Sequence, residues 1–310
     1  MRVVILGGSG FVGHALATRL IAAGHGVRVL TRRRERHREL LVLPGLDLVE
    51  GDVYQSGFLR EQLAGFDVAV NLVGILNESG RSGRGFGHAH AELPQCVVEA
   101  MRAVGITRLL HMSALNASAQ APSYYLRSKA AGEEVVRRSG LRWTIFRPSV
   151  IFGPRDSFVN RFADLLRLMP GVFPLACPDA RLQPVYINDV AQAFTHALTD
   201  ERTVGQSYNL CGPMAYSLRE IVARIAGWTG QRVRIVGLGR TLSFAQAQVM
   251  EFAPGKPFSL DNYRSLQVDS VCPGPFPAML GFVPASFEVE VPRFLSTGLA
   301  YDRFRASARR

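Results

Sequence analysis

The sequence predicts an α/β fold, a doubly wound parallel sheet with a smaller C-terminal lobe. Three observations carry that prediction. Short apolar runs of strand type alternate with helical segments through the first half of the chain. A glycine-rich turn, Gly7-Gly8-Ser9-Gly10-Phe11-Val12-Gly13, separates the first strand from the first helix. After Pro148 the alternation breaks and prolines cluster, at Pro154, Pro170, Pro174, Pro178 and Pro184. The expected division is a first domain over 1–150, to which later segments can return, and a smaller lobe over 151–310.

Val3-Val4-Ile5-Leu6 is a continuous apolar run, as a strand buried on both faces requires. From Phe11 to Ala23 the apolar residues fall at helical spacing, and Gly24 closes the helix. Val27–Leu30 reads as a second strand, followed by a charge-laced helix from about Glu35. Leu46–Glu50 and Val68–Val73 read as the third and fourth strands. A helix is expected from His88 to Val104 despite Pro94, then a strand over Thr107–Met112. Pro122 opens a helix running to about Ser139, and Arg142–Phe146 is a sixth strand. In the lobe, helices are expected near Val159–Leu168, Asp189–Leu198 and Leu218–Gly227. Phe244 to Phe252 reads as amphipathic, with core packing the default and a partner or membrane surface the alternatives. The terminal RFRASARR reads as a solvated basic tail.

Composition bounds the function classes. The chain has 310 residues, 47% hydrophobic and 20% charged, which is ample for a core and wrong for disorder. Its net charge of +11 favours anionic neighbours without choosing among phosphate ligands, nucleic acid and acidic membranes. No aromatic-interleaved basic stripe supports specific nucleic-acid binding. Cys96, Cys177, Cys211 and Cys272 form no C-x-x-C, so reduced thiols in a cytoplasmic setting are expected. No metal site is expected: His88 and His90 have no cysteine or carboxylate set to complete one, and His111 reads as a satisfied core histidine. No apolar run is long enough for a transmembrane helix.

The glycine turn carries the strongest chemical signal. Glycines at 7, 10 and 13 between a buried strand and an amphipathic helix form the dinucleotide fingerprint of a Rossmann domain. Ser9, Phe11 and Val12 fill the turn, and the helix start offers N–H groups to phosphates. The second strand ends in Thr31-Arg32-Arg33-Arg34, where an NAD site would place a carboxylate. Guanidinium groups suit a 2′-phosphate, so NADP(H) is expected over NAD(H), with Arg32 first and Arg33 second. The other reading of this run is a solvated basic loop. Asp52, beside Val53, is placed to accept from an adenine amino group. The turn Asn71-Leu72-Val73-Gly74 can line the cofactor. Ser113 ends the fifth strand, and Tyr125 and Lys129 lie one helical turn apart on the next helix. A nearby ammonium lowers a tyrosine's pKa, so Tyr125 is a candidate acid or base and Ser113 a partner for the reacting oxygen. The loop Arg81-Ser82-Gly83-Arg84, within the glycine- and arginine-rich stretch Glu78–Gly87, can cover the cofactor, meet a partner, or stay solvated. The apolar stripe Phe158, Phe162, Leu165 and Leu166 reads as packing, with an apolar substrate pocket as the other reading.

These motifs, in this order, resemble the short-chain dehydrogenase/reductase superfamily in its extended or atypical form, the epimerase/dehydratase type. Arg147-Pro148-Ser149-Val150-Ile151-Phe152-Gly153-Pro154 resembles the stretch by which that family enters its substrate lobe, and Gln183-Pro184-Val185-Tyr186-Ile187-Asn188-Asp189-Val190-Ala191 resembles the later lobe motif of its epimerase- and dehydratase-type members. The resemblance covers about residues 1–230 and implies Ser113, Tyr125 and Lys129 as a catalytic triad, with Tyr125, Lys129 and Pro148 also beside the cofactor. Asn71–Ile75, Tyr125–Lys129, Arg155–Phe158 and Gln183–Tyr186 are more closely similar to the NADPH-binding accessory subunits of respiratory complex I and their bacterial relatives. That likeness implies a structural nucleotide, complex I or a membrane surface as partner, and a place at the inner face of the membrane. The family alternative is an active NADP-dependent oxidoreductase or nucleotide-sugar epimerase or dehydratase, whose small-molecule substrate the sequence does not name.

Overall fold

Val3 to Leu6, fully buried, form the centre of strand β1 (Arg2–Leu6) in the computed structural model, which describes residues 1–169, 171–253 and 256–295. The basic tail expected from 303 lies outside the described residues. Helix α1 (Phe11–Ala22) follows, burying Val12, Leu16 and Leu20 at helical spacing, and Gly24 turns the chain at φ +79°. Strands β2 (Gly26–Thr31) and β3 (Leu46–Glu50) extend the sheet on one side of β1. Between them the expected α-helix is a 3-10 helix, Arg34–Leu40, kinked at His37. Only Leu40 in it is buried, so no apolar stripe holds it to the α-helical period. Helix α2 (Ser56–Leu63), unread in the sequence, is short and anchored by Leu59 and Leu63.

Strand β4 (Val68–Asn71) ends two residues before the sequence reading because Asn71 Oδ1 accepts from Val73 N at 3.1 Å and bends the chain. A short turn α3 (Arg84–Gly87), a wide helical turn over His88–Glu92 and α4 (Leu93–Val104) form one continuous run. Strand β5 (Arg108–Met112), α5 (Tyr124–Arg137) and β6 (Arg142–Pro148) follow. Ser123, not Pro122, starts α5, its hydroxyl accepting from Leu126 N.

The remaining elements are β7 (Ile151–Phe152), α6 (Val159–Leu168), β8 (Gly171–Leu175), β9 (Arg181–Leu182), β10 (Val185–Tyr186), α7 (Ile187–Thr199), β11 (Gln206–Leu210), β12 (Tyr216–Ser217), α8 (Leu218–Trp228), β13 (Val233–Gly237), α9 (Arg240–Met250) and α10 (Leu260–Ser265). The central sheet has seven parallel strands, ordered β11-β6-β5-β4-β1-β2-β3. Chain direction across the sheet reverses between β1 and β4, which makes their carboxyl ends the switch point where doubly wound sheets bind ligands. Ile145 and Leu109 face a core shared with α2, α4 and α5, while Phe146 on the opposite face meets Phe194 of α7 at 4.4 Å between ring centroids. Each fully buried aliphatic side chain contributes about 1.5–3 kcal/mol.

The chain divides into two compact units. The first is residues 1–148, 188–210 and 279–281. Among the described residues the second is 149–187, 211–278 and 282–295. The second has its own core, around Phe152, Ile221, Ile225, Phe287 and Val291, into which Leu166 is buried and against which Phe158, Phe162 and Leu165 pack. Asp156 there is a loop organiser, accepting from the backbone N–H groups of Gly153, Phe158 and Asn160. Cys211 and Cys272 are disulfide-bonded, which corrects the expectation of four reduced thiols. Gln183 explains the meeting: its side chain donates to Gly212 O at 2.7 Å and accepts from Cys272 N at 2.9 Å, a proximity that spacing along the chain does not reveal.

Candidate functional site

The glycine turn sits at the carboxyl end of β1. Gly7 has φ +78°, and a Cβ there would lie 2.9 Å from the backbone of Leu72 and Val73, so the turn is pressed against the end of β4. A Cβ on Gly13 would lie 2.3 Å from Gly8 Cα and 2.5 Å from Gly7 O, so α1 folds directly onto the turn. Gly8, which the fingerprint does not single out, meets the Val29 side chain of β2 in the same way. Gly10 caps α1 without a side-chain bond, and no acidic residue lies in the first turn. The N–H groups of Phe11, Val12 and Gly13 therefore begin the helix with neither a side-chain cap nor a local negative charge, a setting suited to phosphate.

Arg32 and Arg33 lie at the carboxyl end of β2, exposed, and neither guanidinium forms a hydrogen bond or ion pair among the described residues. Asp52 follows β3, exposed, with Oδ1 accepting from Tyr54 N. Val53 is buried beneath it. Leu72, Val73 and Gly74 follow β4, and Ser113 follows β5, where its N–H donates to Phe146 O at 2.7 Å. Pro148 ends β6 and its carbonyl accepts from Leu115 N. The expected cofactor and catalytic residues of the first unit thus lie along one edge of the sheet or on α5, which follows it.

Lys129 is buried, and its ammonium donates to Met112 O at 3.1 Å. Burial pushes it down to about 8, against the pull of Glu133 one turn along α5. Glu133 is itself buried and held by Arg147, whose Nε donates to Oε1 at 2.7 Å, and by Arg137. The expected lowering of the Tyr125 hydroxyl is not found. Burial pushes it up to about 12, so the phenol stays protonated at neutral pH. Its ring stands edge-on to His90 and Phe86, with centroids 5.4 and 6.1 Å away. Ser113 Oγ is buried and has no hydrogen-bond partner among the described residues. A buried orphan hydroxyl costs about 1–3 kcal/mol unless a ligand or water satisfies it.

Two histidines complete this floor. Ile75 N donates to His90 Nε2 at 3.0 Å, which leaves the proton on Nδ1, facing Ser128 Oγ at 2.8 Å. Ser128 Oγ in turn donates to Tyr125 O. Burial, then the charge of Lys129, pushes His90 down to about 2. His111 Nδ1 faces the Asn71 amide at 3.3 Å, and its Nε2 is buried without a partner, which corrects its reading as a satisfied core histidine. Burial pushes His111 down to about 3. The sequence could have flagged Ser128 and Glu133, which neighbour Lys129 on α5, but nothing in it brings His90 or His111 to this site. The loop before α3 is pinned by Glu78, which accepts from Gly83 N and Gly85 N. Among the described residues no three His, Cys, Asp or Glu side chains are disposed to hold a metal ion. The glycine cradle and the unsatisfied Ser113 hydroxyl together fit a dinucleotide laid along the sheet edge.

Comparison with known proteins gives the same frame. The chain is 28% identical over 295 residues to NADH dehydrogenase (ubiquinone) 1 alpha subcomplex subunit 9 of Mus musculus, covering 92% of this chain and 77% of that protein. It is 30% identical over 241 residues to (4-alkanoyl-5-oxo-2,5-dihydrofuran-3-yl)methyl phosphate reductase of Streptomyces griseus, covering 76% and 77%. The fold matches that of a dTDP-glucose 4,6-dehydratase double mutant from Streptomyces venezuelae, with a TM-score of 0.71, 21% identity and 96% of each chain covered. The profile of one family matches residues 3–211, a span that contains both the glycine turn and the Tyr125–Lys129 helix, and the chain belongs to that NAD dependent epimerase/dehydratase family.

Proposed function

We propose that this chain binds NADP(H) and holds it as an accessory component of respiratory complex I, at the inner face of the membrane. The observation that carries nucleotide binding is the Gly7–Gly13 turn, closed so tightly that no side chain fits between β1, α1 and β4. The unpaired Arg32 and Arg33 at the end of β2 support the phosphorylated nucleotide over NAD(H). The likeness to the mouse complex I subunit, over most of both chains, supports the partner. Calorimetric titration of nucleotide-free protein tests the first part. NADPH is expected to bind at least about tenfold tighter than NADH, and Arg32→Ala with Arg33→Ala to erase the difference. Equal affinities for the two nucleotides would sink the preference. Native-gel separation of gently solubilised membranes tests the second part, with co-migration expected.

A second reading, an active reductase or epimerase, is favoured by the buried, unpartnered Ser113 hydroxyl. Bound NADP(H) would supply hydride transfer at its nicotinamide ring. Ser113 would then bind the reacting oxygen, and the Tyr125 phenol, protonated at neutral pH, would serve as the proton donor. Lys129 would bear on the site through its buried charge. Tyr125→Phe separates the two readings. It abolishes turnover in an enzyme and leaves NADPH affinity and complex I association unchanged in an accessory protein.

A further inference from the structure

The second unit carries a helix whose large side chains face the wrong way for a core. In α9 the residues buried against the unit are Ser243 and Ala247. Ser243 Oγ accepts from Cys177 N and donates to Leu238 O, which fixes that face inward. Leu242 and Val249, seven residues apart and so on one side of the helix, are 60% and 73% exposed. Phe252, just past the helix end, is 78% exposed. No charged residue lies within α9 after Arg240. Within 244–252, Ala247 and Glu251 are buried and the Phe244 ring meets Tyr263 edge-on at 5.6 Å, so the expected core packing fails at Val249 and Phe252.

Exposed apolar side chains also occur on the ribbon to which α9 is tied. Gln246 donates to Pro174 O, which ties α9 to the parallel ribbon of β8 and β13. Val172 of β8, paired in register with Arg234, and Val236, paired with Pro174, are also exposed. The chain segment that forms α9 and β13 is predominantly basic. From 229 to 256 the basic residues are Arg232, Arg234, Arg240 and Lys256, and the sole acid, Glu251, pairs with Lys256. Arg232, Arg234 and Arg240 form no ion pair or hydrogen bond among the described residues.

From this we propose that α9 and the β8–β13 ribbon form a docking surface for an anionic phospholipid bilayer. An uncharged helical face flanked by unpaired arginines is the pattern of an interfacial helix. Eleven residues span about 16 Å, half a bilayer core, so α9 lies in the interface and does not cross it. The surface belongs to the second unit and the residues of the glycine turn to the first.

Flotation of the full chain with vesicles tests this. Binding is expected to vesicles of phosphatidylglycerol and phosphatidylcholine, with little to phosphatidylcholine alone. Leu242→Glu with Val249→Glu is expected to weaken it at least about tenfold. Neutralising Arg232, Arg234 and Arg240 to Gln is expected to weaken it on the order of 100-fold. Val249→Trp gives a second readout that keeps the face apolar: its emission moves to the blue on anionic vesicles. NADPH affinity, measured on the same proteins, stays unchanged, which separates this surface from the nucleotide site. Three outcomes overturn the proposal: no vesicle binding, equal binding to neutral vesicles, or a dimer in sedimentation velocity that Val249→Glu dissociates, which would give the face to a second copy of the chain.

Discussion

His90 and His111 are neutral in the folded chain because burial strips water from the charged ring, and the Lys129 ammonium adds repulsion. An unfolded chain protonates both near 6.5. Unfolding therefore takes up protons as the pH falls below 6.5, and stability falls with it. Each histidine contributes a loss of about 1–2 kcal/mol between pH 6.5 and 5.0. His111→Gln is expected to flatten the pH dependence of urea unfolding over that window by about this amount, and an unchanged slope would show that His111 is protonated in the fold. The glycines at 7, 10 and 13 were legible because a motif states their spacing. The histidines were not. Their role depends on Ile75, Ser128 and Asn71 reaching them from 15, 38 and 40 residues away.

At the scale of elements, the run through Pro94 shows how one irregularity forces another. Pro94 has no N–H to give the carbonyl four residues back, which is that of His90. The helix widens over His88–Glu92, and the His90 carbonyl turns toward α5. A Cβ on Gly132 would lie 2.0 Å from that oxygen, so only glycine lets the two helices close. Gly132→Ala is expected to cost about 3 kcal/mol in chemical denaturation. Gly227→Ala in α8, where nothing lies within 4 Å, is expected to gain about 0.5–1 kcal/mol. If both behave alike, helix propensity and not the contact governs Gly132. The strands and long helices of the first half were legible from period and apolar content. The 3-10 form of the helix after β2 and the existence of α2 were not, because short segments with two or fewer apolar anchors carry little periodicity.

Across the whole molecule, the chain returns to its first unit to finish the sheet. β11 pairs with β6 from Gln206 to Leu210, and Arg108 of β5 stitches this return together. Its buried guanidinium donates to Arg142 O, Thr144 Oγ1, Ala197 O and Thr203 Oγ1. Arg108→Met strands these acceptors and is expected to cost about 3 kcal/mol, read as a lowered urea midpoint with unchanged far-ultraviolet dichroism. The seventh strand escaped the sequence reading because Gln206-Ser207-Tyr208-Asn209-Leu210 is half polar and follows the proline-rich segment.

The sequence by itself determined the α/β class, the glycine turn, the succession of the first six strands along the chain, the strand ends on which Arg32, Asp52 and Ser113 fall, and the helix that carries Tyr125 and Lys129. Each of these follows from local period or from spacing within a few residues, which the chain carries without folding. Only the tertiary structure decided the protonation of Tyr125, the partners of the two histidines, the Cys211–Cys272 bond, the return of β11 and the outward face of α9. Those depend on which distant groups exclude water or supply a hydrogen bond, and contact between residues far apart in the chain exists only once the chain has packed.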